Sequence, residues 1–123
     1  TMAYKGPTVM GIPETLEGKI VQDADRLDAL GAIGIARAFA TGQYLKQVIY
    51  EPSLPPNLHL TRIEYGQTYT GNRKTTTVNH FYEKLFLLPA QMNTATAKKM
   101  AEERIALMKQ YLERFFLEWD GKV

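Results

Sequence analysis

The 123-residue chain contains no cysteine and only two histidines, His59 and His80. Without cysteine there is no disulfide and no thiolate metal site, a composition compatible with a cytoplasmic setting. No apolar run approaches the ~20 residues that span a bilayer, and no signal peptide is apparent. Basic residues form no long uninterrupted run, and the net charge is only +2. Bulk charge therefore gives little support to nucleic-acid binding. Internal repeats and low-complexity segments are also missing. What is present is 45% hydrophobic content, enough for a packed core in one domain or part of one. The chain opens Thr1-Met2, which reads as a cloning residue, a cleaved product or the remainder of something longer.

The organising stretch runs from Glu17 to Arg37. Ile20, Val21, Ala24, Leu27, Leu30 and Ile33 recur at helical spacing and predict a largely buried helix. It is expected to end near Ala40-Thr41-Gly42, with the glycine as left-handed cap. Asp23, Asp25 and Asp28 are expensive in such a helix unless something positive compensates them. Asp25 and Asp28 lie one turn apart. Ala29, Ala32 and Ala36 extend their stripe, and Gly31 and Gly34 leave room for a helix, a ligand or a metal. The plainer reading is an acidic cluster favoured by the helix dipole. Arg26 and Arg37, eleven residues apart, would share one side of a continuous helix. Salt bridging and phosphate binding are both open for them.

Residues 1–16 read as a loop rich in glycine and proline. Pro52, Pro55 and Pro56 exclude a helix around them. Residues 58–65 alternate like a strand, and Gly66 and Gly71-Asn72 are turn signals, so residues 43–75 are expected to form an irregular excursion or a short hairpin. A helix is predicted over 76–88, stopped by Pro89. His80 and Lys84 lie one turn apart on it. They are either an ordinary half-exposed pair or a proton-transfer and phosphate-neutralising pair. The last helix is predicted over 94–119, capped by Asn93 or Thr94. Its stripe of Ala97, Met100, Ala101, Ile105, Met108, Leu112, Phe115, Phe116 and Trp119 is scaffold.

Three ordered runs carry a family resemblance. Gln22-Asp-Ala-Asp-Arg-Leu-Asp-Ala-Leu-Gly-Ala-Ile-Gly-Ile-Ala-Arg37 resembles the last metal-binding motif of the HD-domain phosphohydrolases. Asn79-His-Phe-Tyr-Glu-Lys-Leu85 resembles a downstream signature of one bacterial branch, and Met92-Asn-Thr-Ala-Thr-Ala with Ala101-Glu-Glu-Arg104 continues it. The resemblance implies an all-α bundle of the HD type, of which residues 1–123 form the C-terminal part. The family's upstream His and His-Asp pair have no counterpart here: His59 and His80 are both downstream, and neither precedes an Asp.

What the resemblance implies for the site follows residue by residue. Asp25 matches the distant metal-binding Asp. Asp28, His80 and Lys84 become candidate catalytic groups, and Arg26, Arg37 and Lys84 candidate substrate-binding groups. The implied cofactor is a divalent ion: manganese, iron, nickel, cobalt or magnesium. The implied partner is a phosphate ester or a nucleotide. The aromatic end from Tyr111 to Trp119 is expected to pack on upstream helices or, in a homo-oligomer, on another subunit. From another class altogether comes the alternative of a non-catalytic helical module working by binding or oligomerisation.

Overall fold

The computed structural model describes residues 13–70 and 73–123. The expected loop over 1–16 therefore falls mostly outside the described residues, as does the Gly71-Asn72 turn. The described chain is helical. In order it forms α1 (Leu16–Leu27), α2 (Gly31–Tyr44), α3 (Arg62–Thr70), α4 (Thr77–Glu83), a 3-10 segment (Leu85–Gln91) and α5 (Ala95–Trp119). The all-α expectation holds. None of the described helices is long and apolar enough to cross a membrane.

α5 is the spine. Ala97, Ala101, Ile105, Met108 and Leu112 are buried along one face. Against them pack Leu27, Leu30, Ala38, Val78, Phe81, Leu85 and Leu88 from the other elements. Thr94 caps α5 by accepting from the Ala97 amide at 3.2 Å. Thr15 and Thr76 cap α1 and α4 in the same way, each satisfying an amide the first turn leaves orphaned.

The predicted long first helix is in fact two. α1 ends at Leu27, Asp28 is its C-cap, and Leu30 is extended and almost fully buried. Sending Leu30 into the core requires a sharp reversal, and Gly31 supplies it at φ +72°. The side chain of Arg104 lies against Gly31, and its Nη1 donates to the Leu27 carbonyl at 2.7 Å. A cation at a helix C-terminus also suits the dipole. The break separates Arg26 from Arg37, which no longer share a helix face, whereas Asp28 keeps right-handed backbone with its amide on the Ala24 carbonyl and stays one turn from Asp25. The expected burial fails as well: Ile20, Val21 and Ile33 are 52%, 49% and 66% exposed. The second helix continues past Gly42 to Tyr44, and Lys46, not glycine, takes the left-handed position at φ 58°.

Asp23 is the acid that is buried, and α5 compensates it. Its carboxylate accepts from the Asn93 and Thr94 amides at 2.7 and 3.0 Å, from Asn93 Nδ2 at 3.0 Å and from the Thr94 hydroxyl at 2.8 Å. A carboxylate here meets the positive end of α5.

The middle excursion differs from both expectations in part. Residues 62–70 form α3, not a strand. A capping box starts it: Thr61 Oγ1 accepts from the Glu64 amide at 3.1 Å, and Glu64 Oε1 accepts from the Thr61 amide at 3.0 Å. An isolated parallel bridge joins Val48 to Thr76, with the Thr77 and Val78 amides donating to the Val48 and Ile49 carbonyls. Pro89 does not stop the helix of His80; that helix has already given way to the 3-10 segment, which contains Pro89. At the far end of α5, Tyr50 sits with its ring centroid 5.8, 5.2 and 5.1 Å from those of Phe115, Phe116 and Trp119. Phe115 and Phe116 are thus partly covered from within the chain, while Tyr111 and Trp119 stay exposed.

Asp23→Ala should lower unfolding free energy by about 2 kcal/mol, because the half-buried amides of Asn93 and Thr94 lose their acceptor. Asp25→Ala should change it by about 1 kcal/mol or less. Urea denaturation of both variants checks this; equal losses would mean that Asp23 has no special place in the packing.

Candidate functional site

Three of the candidate residues meet in one cavity of about 90 Å³, lined by Ala29, Gly34, Arg37, Ala38, Thr41, Tyr69, His80, Lys84 and Leu85. The break after Leu27 aims α2 so that Arg37 comes to its rim. There Arg37 Nη1 donates to the Asp28 carbonyl at 3.1 Å. Gly34 is required at the wall, since a Cβ there would collide with the Ala29 carbonyl. α4 delivers His80 one turn before Lys84, and α3 adds Tyr69. The space is large enough for several waters or a phosphoryl group.

The electrostatics favour an anion. Lys84 is 8% exposed. Desolvation, and then the nearby charge of Arg37, pull its pKa down from 10.5 to about 8, while Asp25 acts in the opposite direction. Its Nζ lies 5.6 Å from the centroid of the Tyr65 ring, a favourable seat for a cation with little water. His80 is pushed further, to about 3, by desolvation first and then by Lys84 and Arg73. At neutral pH it is an uncharged imidazole, able to donate one hydrogen bond and accept another. Burial raises the Tyr69 hydroxyl, which pairs with the Tyr65 hydroxyl at 2.8 Å.

The other candidates are placed elsewhere. Arg26 is buried between α1 and the 3-10 segment and donates to the Gln91 carbonyl. Asp28 is exposed at the end of α1 and offers Arg37 its carbonyl. Asp25 is half-buried and close enough to Lys84 to favour its charge. Among the described residues, no group of three or more His, Cys, Asp or Glu could hold a metal ion. The described residues therefore do not form a metal centre on their own. Thr41 and Tyr69 were not foreseen as site residues. The spacing of Tyr65 and Tyr69 would have suggested a paired wall only if 62–70 had been read as helical.

Holding Lys84 charged in the fold opposes stability by on the order of 3 kcal/mol. Between its folded and unfolded pKa the folded chain binds fewer protons, so stability rises with pH across that interval. Unfolding free energy should therefore increase between about pH 8 and about pH 9.5, and Lys84→Met should abolish the increase. A flat profile for the unaltered chain over that window would mean that Lys84 is solvated.

No family model matches this sequence. The chain is 40% identical over 106 residues to the uncharacterised protein YpgQ of Bacillus subtilis, covering 83% of this chain and 40% of that protein. A crystal structure of YpgQ in complex with ADP superposes with a TM-score of 0.57 at 38% identity, covering 82% of this chain and 43% of that one. A Lactobacillus plantarum protein of known structure is 46% identical, with a TM-score of 0.77 over 94% of this chain and 50% of its own. A Bacillus thuringiensis protein described as an HD-superfamily hydrolase is also 46% identical, with a TM-score of 0.69 over 86% of this chain and 47% of its own. The chain thus spans half or less of the length of these relatives.

Proposed function

We propose that this chain is the C-terminal, phosphate-binding part of an HD-superfamily metal-dependent phosphohydrolase acting on a phosphate ester, with a nucleotide as the favoured class. The observation that carries the reading is the convergence of Arg37, His80 and Lys84 on one small cavity. Kinship with a protein described as an HD-superfamily hydrolase supports the chemistry. The relative crystallised with ADP supports the ligand class.

The residues divide the work by their charge. Lys84 and Arg37 crowd one another, and an anionic oxygen seated between them relieves that repulsion. Arg37 offers a planar fork suited to two phosphate oxygens, and Lys84 offers a compact charge. His80, being neutral, donates a hydrogen bond from one ring nitrogen without adding to the repulsion. The hydroxyls of Thr41 and Tyr69 complete a set of donors around the cavity. Asp25 is the carboxylate this chain would contribute to a divalent ion held with ligands from outside it. Such an ion would polarise the phosphoryl group and activate water. Manganese, iron, nickel, cobalt and magnesium all suit a mixed carboxylate and imidazole set.

The exposed apolar residues of α1 fit the same reading. Ile20, Ala24 and Leu27 line an open groove of about 350 Å³ with Met100 of α5. The remaining length of the relatives offers material to cover it. The same groove supports a second reading, a helical module that associates through this face.

Calorimetric titration of the intact gene product with ADP tests the first reading. Arg37→Ala and Lys84→Ala should each weaken binding by about tenfold or more, the value of a charge-assisted hydrogen bond. Binding should also weaken as pH rises above about 8, where Lys84 loses its proton. Unaltered affinity in both variants would return these residues to the scaffold. Asp25→Ala should lower bound metal measured by elemental analysis. A stable dimer in sedimentation, with no ADP binding, would favour the associating module.

A further inference from the structure

Glu83 closes α4, next to Lys84 in sequence, yet its side chain turns away from the phosphate-binding cavity and is only 3% exposed. It accepts from the Asn57 amide at 2.8 Å and pairs with Arg73 Nη2 at 2.5 Å. The Thr75 hydroxyl lies 3.3 and 3.4 Å from its two oxygens. Asn57 precedes α3 and Arg73 follows it. One carboxylate therefore holds both flanks of α3. Arg73 extends the hold into the helix itself, through a 2.8 Å bond from Nη1 to the Thr68 hydroxyl.

α3 needs this attachment. It packs only lightly on the other helices. Its Ile63 is exposed, while Tyr65 and Thr68 are buried. What α3 brings to the molecule is the Tyr65–Tyr69 pair, ring centroids 5.4 Å apart. Tyr65 lies against the Lys84 ammonium, and Tyr69 walls the cavity beside Arg37 and His80.

We infer that Glu83 is a positioning residue for this cavity, holding α3 so that Tyr65 covers Lys84 and Tyr69 completes the binding wall. The inference rests on the phosphate-site reading for its functional consequence, and on hydrogen bonding alone for its structural part. Glu83→Gln keeps an acceptor for the Asn57 amide but removes the charge opposite Arg73. Arg73→Ala removes the other partner.

Hydrogen exchange, acylation of Lys84 by an amine reagent and ADP titration, all on the intact gene product, test it. In Glu83→Gln, amides of residues 57–70 should exchange about tenfold faster or more, with α5 unchanged. Lys84 should acylate faster by a similar factor, and ADP affinity should fall about tenfold. Arg73→Ala should do the same, and the double variant should add little. Unchanged exchange and acylation would overturn the inference. So would faster exchange in α5 as well, because Glu83 would then stabilise the whole bundle and not α3. Failure of the unaltered protein to bind ADP would count against the phosphate-site reading, while exchange and acylation would still decide the role of Glu83.

Discussion

The packing of α1 along α5 depends on two polar attachments at opposite ends of their contact. Asp23 receives the start of α5, and the Leu27 carbonyl receives Arg104 from its interior. Each answers a helix terminus whose backbone groups have no partner inside the helix. Between them the apolar surfaces of Leu27, Ala97 and Ala101 close together. With the last turn of α1 fixed at Asp23 and at Leu27, the reversal through Leu30 and Gly31 starts from a held point, and α2 leaves at the angle that brings Arg37 to His80 and Lys84.

Charge is partitioned with equal economy around α4. Glu83 and Lys84 are neighbours in sequence, and both are buried. A direct pair between them would cancel the positive potential of the cavity. The helix end turns the acid toward Arg73 and leaves the amine facing Arg37 and Tyr65. One network is internally neutral and structural. The other keeps a surplus of positive charge in a poorly hydrated space, where its field is least screened.

Much of this was legible in the residues. The last helix, a cap at Asn93 or Thr94 and the buried row from Ala97 to Leu112 followed from spacing, because a long amphipathic stripe leaves few alternatives, although Met100 and Trp119 of the same stripe are exposed. His80 and Lys84 line one cavity, as their one-turn spacing, a local property of α4, allows. The first helix was misread because its periodicity continues across Gly31, and periodicity does not register a single residue at positive φ. The burial of α1 was overstated because a helical stripe shows that a face is apolar, not what covers it. Residues 58–65 alternate like a strand, yet Thr61 and Glu64 form a capping box whose spacing was visible in the sequence. The local cap outweighed the alternation. The roles of Asp23 and Glu83 could not be read in advance, because their partners lie about 70 and between 8 and 26 positions away.

The small bridge between Val48 and Thr76 has a wider consequence. It brings the two ends of the excursion together beside the bundle, so the chain between them is a closed loop that returns to the bundle only at chosen points, Tyr50 on α5 and Asn57 on Glu83 among them. Closing a loop grows costlier only slowly with length, by about 0.6 kcal/mol per doubling. Added length is therefore tolerated best between those points of return, while Tyr50, Leu54 and Asn57 keep their places by contact with the bundle. Because that segment also supplies the tyrosine wall of the cavity, the shape of the cavity is set by a loop whose length is cheap to change and not by the bundle core.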